Sequence, residues 1–416
     1  MEIRTITPEE YEAFGNDKAN WTFMNSLEQG RKMAGNGWSV EYLGGFEDGK
    51  LKAAALHGSM PVARLYHYSY LPAGILFEQE SPEAIEAFSK GLLTYLKGRN
   101  TLYVQTDPHT IWRERDADGQ IVEGGKDNTE LAEAFEKAGW NWEKPQPGYQ
   151  GDRVYYVSVL DTKGKDIDTL MKEMDQQTRW SINRARKYDL VIRTPRDEKD
   201  LEAFEKMMAH TGERNGFEIN DAAYYRRTLE SFGNRGELLL AFMDTEKFRE
   251  SQQVLYDEAK ARLEAAEEKL KENPNSKKFV KKKKVELEAM ELAEKKMQEA
   301  DELKEKYGSE ILLAGSLFCN TDRETCYLYS GAYDEFLKYN APYAIHYEEL
   351  KRTLDAGRDT YNFYGISGNF EKDEPGYPLF AFKRGFGCGI QEYLGLFTLP
   401  VKGLEFSLYN KMKHVI

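Results

Sequence analysis

Cysteine is scarce in this chain: Cys319, Cys326 and Cys388 are the only three in 416 residues, and no two stand in a C-x-x-C spacing. That argues against a disulfide framework and against a thiolate zinc site. The six histidines are scattered without an H-x-x-x-H pair, so a histidine-held metal lacks support as well. Long apolar runs are missing. No stretch approaches the roughly 20 residues of a membrane span, and the opening MEIRTITPEE lacks the basic-then-apolar order of a signal peptide. There is no P-loop, no G-x-G-x-x-G between a strand and a helix, and no G-x-S-x-G elbow. Nucleophilic hydrolase chemistry therefore has no support. A basic excess is also lacking. The formal net charge of −13 argues against a generic nucleic-acid coat and leaves phosphate binding to local patches. The expectation is a cytoplasmic, reduced protein that needs neither metal nor cofactor.

What the chain does have is apolar material in regular order. Hydrophobic residues make up 40% and aromatics 13%, enough at this length for two or three cores rather than one. WSVEYLGGFEDGKLKAAALHG predicts a hairpin turned at Asp48-Gly49, where the tight turn needs positive φ. RLYHYSYLP comes next as a strand. SPEAIEAFSKGLLTYLKG predicts a helix capped by Ser81, with Pro82 in its first turn and Gly98 at its end. TLYVQTDP returns as a strand stopped by Pro108. Later ELLLAFM, ILLAGSLFC, CYLYSGA, APYAIHYEELKRTLDAG and TYNFYGISG repeat the order strand, strand, strand, helix, strand. No residue-level repeat accompanies it. Two similar α/β units of roughly 150 residues each are expected.

The second hairpin is interrupted between residues 246 and 307. Leu255, Ala259, Leu263, Ala266 and Leu270 recur every three or four positions, and so do Met290, Ala293, Met297, Ala300, Leu303 and Tyr307. NPNS at 273–276 supplies a turn between the runs. Two helices of similar length folding back on each other make an antiparallel coiled-coil arm. Its tip carries Lys277, Lys278 and Lys281 through Lys284. On an acidic protein such a tip would meet a polyanion from one direction, or it is a solvated helix end. A second basic stretch, TRWSINRARKYDLVIRTPR, sets Arg179, Arg184, Arg186, Lys187, Arg193 and Arg196 against one acid, Asp189.

The stretch PLFAFKRGFG, residues 378–387, sets Lys383 and Arg384 among three phenylalanines and two glycines. Read as a strand, it sends the two cations to opposite sides. Lys383 is then either held against an anionic group or snorkelling to a surface. RGFGCG, residues 384–389, also fits the R-x-x-G-x-G with which coenzyme-A acetyltransferases wrap a pyrophosphate. The adjoining residues, IQEYLGLFTLP, read as a strand and not as the helix that loop needs.

Several motifs together resemble the Fem/MurM (FemABX) peptidyltransferases. These are YVQTDP, HTGERNGFEINDAAYY, YLYSGAYDEF, and the tail YNFYGISGNF with PLFAFKRGFGCGIQEYLGLF, in the order and with the arm that this family shows. The likeness spans nearly the whole chain. It implies an α/β (α+β) fold of two acetyltransferase-like (GNAT-like) domains. The first would be 1–147 with 394–416 returning to it, and the second 148–393 with the arm inserted at 246–307. A basic helix at 166–187 would lie in the second. The implied activity is transfer of an amino acid from aminoacyl-tRNA to the stem peptide of a peptidoglycan precursor, lipid-linked or UDP-linked, by a monomer placed at most peripherally at the inner membrane face.

The resemblance also implies roles. Lys383 looks like the family lysine that stabilises negative charge during transfer, and Phe382 like a substrate-packing residue. Asp107 looks like the acid closing a groove-lining strand, where a structural strand cap is the competing reading. Tyr224 and Tyr333 resemble precursor-binding tyrosines, and Lys32 or Arg31 would contact the precursor diphosphate. Lys281, Lys282, Lys283, Lys284, Arg179 and Arg186 would contact tRNA. Asn220 stands where the family often has arginine. Two other readings remain at this point, a coenzyme-A-dependent acyltransferase and a non-catalytic RNA-binding module.

Overall fold

The computed structural model describes residues 1–62, 65–148, 153–215 and 220–413, so residues 216–219 of HTGERNGFEINDAAYY lie outside the described ones. The first half runs β1 (Glu2–Ile6), α1 (Pro8–Gly15), α2 (Leu27–Gly35), β2 (Ser39–Glu47), β3 (Lys50–Val62), β4 (Tyr66–Leu71), β5 (Leu76–Phe77), α3 (Pro82–Lys97), β6 (Thr101–Thr106), β7 (Ile111–Arg115), α4 (Thr129–Lys137) and β8 (Asn141–Glu143). Next come β9 (Tyr156–Asp161), α5 (Ile167–Glu173), α6 (Gln176–Ala185), β10 (Val191–Arg193), α7 (Glu198–Asn215), α8 (Ala222–Phe232) and β11 (Gly236–Asp244). The arm is α9 (Thr245–Glu272) and α10 (Lys277–Tyr307). The remainder is β12 (Glu310–Asn320), β13 (Glu324–Ala332), α11 (Ala341–Asp355), β14 (Thr360–Ile366), α12 (Tyr377–Arg384), β15 (Gly389–Tyr393), β16 (Leu396–Pro400) and α13 (Gly403–Lys413).

Two mixed eight-stranded sheets result, one in the order β1-β2-β3-β4-β6-β16-β8 with β5 on β3, the other β10-β11-β12-β13-β14-β9-β15-β7. The repeated series has the same topology in each. β2, β3 and β4 are antiparallel neighbours, and β6 returns parallel to β4 after α3. β11, β12 and β13 are likewise antiparallel, and β14 returns parallel to β13 after α11.

The halves exchange strands. β7, inside the stretch read as the first domain, pairs with β15 in the second sheet. Gly395, at φ +101 and with the Glu143 carbonyl 2.5 Å from where a Cβ would sit, then turns the chain into β16 of the first sheet. Glu392 seals the seam. Fully buried, it accepts from Arg113 and Arg115 at 2.8 Å each and from the Tyr156 hydroxyl at 3.2 Å, which satisfies a charge that would otherwise be costly to bury.

Three local expectations change. Residues 378–387 are not a strand. Pro378 stands in the first turn of α12 and Gly385 ends it, so the punctuation is helical despite the β-favouring phenylalanines. Lys383 points inward and Arg384, one residue on around the helix, pairs outward with Asp118 at 2.8 Å. The R-x-x-G-x-G loop thereby lies at a helix C-terminus, the negative end of the dipole, where a pyrophosphate would be repelled. The helix at 166–187 is two helices, α5 and α6, broken at Met174–Asp175, where Asp175 caps α6 through the Thr178 N–H.

In the arm, cross-helix ion pairs Lys304–Glu246, Arg249–Asp301, Arg262–Glu286 and Lys283–Glu267 keep one register from base to tip. Ala259, Leu263, Ala266, Ala293 and Ala300 form the buried seam, but Leu255 is 49% exposed and Gln252 is buried in its stead. The arm's base is also part of the body. Phe248 and Ala300 belong to the core cluster beneath the second sheet, with Leu303 and Tyr307 packed on it.

Candidate active site

The site forms where β14 loses its register. The β14–β9 ladder shifts between Asn362 and Gly365, and inside the bulge Tyr364 takes φ +60. A tyrosine there costs about 1–3 kcal/mol unless its surroundings fix it. Asn362 does so, its Oδ1 accepting from the Tyr364 N–H at 2.7 Å while its Nδ2 donates to Glu324 at 2.9 Å. The bulge aims two groups at once. The Tyr364 side chain lines a cavity of about 440 Å³, and the Gly365 carbonyl accepts from Lys383 Nζ at 2.6 Å.

Lys383 is 3% exposed and lines the same cavity. Burial pushes its ammonium down from 10.5 to about 7, with the Cys388 and Cys326 thiols opposing. The Tyr327 ring lies 5.8 Å from Nζ, and Phe382, packed edge-on or tilted against Tyr343, His346 and Phe386, forms the neighbouring wall. No carboxylate lines this cavity among the described residues, so the lysine's charge is left for a ligand.

Asp107 stands just past the end of β6 in the first half. The Tyr70 hydroxyl donates to both its oxygens, at 2.8 and 2.7 Å, and the Ala73 N–H donates to Oδ1 at 3.3 Å. Ala73 and Gly74 both have positive φ, and Gly74 presses on Pro108, where a Cβ would come within 2.9 Å. Burial pushes the Asp107 carboxyl up to about 6, against the Tyr70 hydrogen bond and the charge of Arg153. Asp107 in turn helps burial raise the Tyr364 hydroxyl well above its ordinary value, as does Tyr224.

Lys32 arrives from α2. It is 7% exposed, donates to the Tyr224 hydroxyl at 2.8 Å and lies 4.4 Å from that ring's centroid. The Tyr224 and Tyr329 hydroxyls are 2.7 Å apart, and Tyr329 lines the cavity. Lys383 and Phe382 therefore line the cavity, Lys32 and Tyr224 reach its wall through Tyr329, and Asp107 is not among its lining residues.

Comparison with known proteins shows the family. A model of the FemAB family matches residues 6–414. The chain belongs to the FemAB family. It is 25% identical over 417 residues to the aminoacyltransferase FemA of Staphylococcus aureus, in strain bovine RF122 / ET3-1 and in strain MW2, covering 100% of this chain and 99% of each relative. A crystal structure of FemX superposes with a TM-score of 0.82 at 20% identity, over 98% of this chain and 99% of that one.

Not every residue singled out from the sequence reaches this cavity. Tyr333 does not line the cavity. It packs against His210 and Phe336 and precedes the short 3-10 turn Asp334–Tyr339. Arg31 turns away from Tyr224 to Glu28 at 2.9 Å and to the Ser231 carbonyl at 3.1 Å. Arg179 folds back onto the last carbonyls of α5, Lys172 and Met174. Arg186 lies over Tyr347 at 5.4 Å. At the arm tip, Lys283 pairs with Glu267 at 2.7 Å and Lys284 with Glu288 at 3.9 Å, while Lys281 and Lys282 are exposed. Sequence reasoning missed Tyr364 and Tyr70, and gave Tyr329 of YLYSGAYDEF no role. The signal for Tyr364 was Asn362-x-Tyr364-Gly365, a side chain able to bond the backbone two residues on, next to a glycine.

Proposed function

We propose that this chain transfers an aminoacyl group from charged tRNA to a side-chain amine on the stem peptide of a peptidoglycan precursor. The observation that carries it is Lys383, a buried cation facing an aromatic cavity with no carboxylate against it. The amine nitrogen attacks the ester carbonyl carbon, the carbonyl oxygen takes up negative charge, and the bond to the tRNA ribose oxygen then breaks as the amide forms, that oxygen leaving as a hydroxyl with the proton the amine gave up. A cation about 3 Å from that oxygen, in a dry site, lowers the barrier most where the charge develops. Asp107, with its carboxyl near 6, is a carboxylate at neutral pH and receives the proton the amine must lose, directly or through Tyr364. The ester already carries the activation. Lys32 with Tyr224 seats the precursor, and Phe382 packs the incoming groups.

The experiment is transfer of radiolabelled amino acid from charged tRNA to a muramyl-pentapeptide acceptor with no coenzyme A present. Product is expected in that mixture. Acyl-coenzyme-A consumption without tRNA would overturn the reading, and so would RNA binding with no transfer to any amine acceptor. Among the described residues no helix is long and apolar enough to cross a membrane.

A further inference from the structure

A hollow larger than the catalytic cavity lies between α6 and the base of the arm, a groove of about 890 Å³. Trp180 is 50% exposed on its wall, and Val254 (57%), Leu255 (49%) and Leu292 (57%) are exposed on the arm side. Half-exposed large apolar groups gathered in one place mark a surface that receives something. The arm's two helices leave them uncovered, Val254 and Leu255 on the first and Leu292 on the second, while cross-helix ion pairs fix the two helices on each other.

Charge identifies the occupant. Arg184, Lys187 and Lys296 line the groove with a single acid, Asp189, on a chain whose net charge is −13. The Arg184 guanidinium lies 4.8 Å from the Trp180 ring centroid. Trp180, Arg184 and Lys187 stand at i, i+4 and i+7, one face of α6 carried past its end. An indole beside cations is how proteins hold single-stranded nucleic acid without reading its sequence, bases on the ring and phosphates on the charges. A protein partner would have no need of three cations, and a neutral lipid none at all.

Position joins the groove to the chemistry. α6 starts against the end of the lysine helix: the Asp175 N–H donates to the Gly385 carbonyl at 2.9 Å, and Thr178 lies directly beneath Gly385. From there its ten residues carry the basic face away over about 15 Å. That is the reach of about four stacked nucleotides at roughly 3.4 Å each.

We propose that this groove seats the unpaired 3′ end of the charged RNA, with Trp180 as the stacking platform that leads the terminal ester toward Lys383. The proposal rests on the tRNA-dependent reading above. Its test is fluorescence anisotropy with two RNA hairpins of identical stem, one with a short unpaired 3′ overhang and one blunt, against the parent, Trp180→Ala and Trp180→Phe. The parent should prefer the overhang. Trp180→Ala should lose roughly 5- to 100-fold for the overhang hairpin alone, and Trp180→Phe should recover most of it. Equal binding of both hairpins by the parent, or a Trp180→Ala loss shared by both, would overturn the proposal. Transfer assays separate it from the functional reading. If the parent transfers and Trp180→Ala keeps the parental KM for charged RNA, the groove assignment alone fails. If the parent transfers nothing yet Trp180 still selects the overhang, the groove stands and the activity is wrong.

Discussion

Replacing Lys383 by Met tests the site through stability as well as rate. In the folded chain burial lowers the ammonium to about 7, against 10.5 for a solvated lysine. Between those values the unfolded chain holds a proton that the folded chain has released. Stability therefore rises with pH in that window and is flat, at its lowest, below about pH 7. Each pH unit well inside the window is worth about 1.4 kcal/mol. The parent should gain about 2 kcal/mol on Lys383→Met between pH 7 and 9, and the variant should be the more stable of the two near pH 7 despite losing the bond to Gly365. Paired urea titrations at the two pH values measure this, with every other titrating group cancelling in the difference. An offset that does not change with pH would refute the desolvated-ammonium argument. In single-turnover transfer Lys383→Met should cost roughly 10²–10³ in rate. The profile of kcat/KM should fall above about pH 7 in the parent as the ammonium is lost. Lys383→Arg, weaker at every pH, should lack that fall because a guanidinium stays charged. A falling limb retained by the arginine variant would assign it to another group.

Tyr364→Phe removes the hydroxyl and keeps the ring, so kcat should drop about 10-fold, as for a group that relays a proton without being its final acceptor, with the melting temperature unchanged. A parental kcat would reduce Tyr364 to a wall. Glu349 is fully buried with neither carboxylate oxygen hydrogen-bonded, and burial with the nearby Glu237 raises it to about 8. The folded chain keeps a proton that the unfolded chain sheds near 4.5, so the parent loses stability as pH rises from 4.5 to 8. Glu349→Gln should therefore gain on the parent across that window in urea midpoints, and a constant difference would contradict the burial. Lys281 through Lys284→Ala should flatten the salt dependence of RNA binding by about 0.7–0.9 in the log–log slope for each phosphate no longer neutralised. An unchanged slope means a solvated tip. Trimming the arm at residues 262–288 should leave a folded body, whereas removing all of 245–309 should not, because Phe248 and Ala300 belong to the core.

Patterns of period 2 and 3.6, with the turn chemistry between them, make most elements legible: the hairpin at Asp48-Gly49, the caps of α3, the arm, and the order of each series. These signals are local. Strand exchange is not, because whether β7 pairs in its own half or the other is decided by contacts hundreds of residues away, such as Arg113 with Glu392. α12 reads as a strand because four of its residues are aromatic or Leu, at home in a sheet, yet Pro378 and Gly385 are the boundary signals of a helix. The one-sided face Trp180, Arg184, Lys187 is readable at helical spacing. Arg179 and Arg186 are conspicuous in the sequence only as charges, and in the structure they serve nearby carbonyls and a ring.

Local rules break at several positions, and where they break is informative. Tyr364 and Ala73 take φ +60 and +55, Lys383 buries an ammonium, and Asp107 buries a carboxyl. Each is a cost of order 1 kcal/mol or more that selection for stability alone would remove. They come in two pairs: Ala73 bonds Asp107, and the residue after Tyr364 holds Lys383. Glu392 is the contrast. It is equally buried, but two arginines and a tyrosine satisfy it, and it ties β7, β9 and β15 together within the second sheet. A buried charge matched by the protein is architecture. Among the described residues Lys383 meets one carbonyl and no counter-charge, which calls for a ligand that relieves it. An oxyanion beside Lys383 and a proton arriving at Asp107 would relieve two at once.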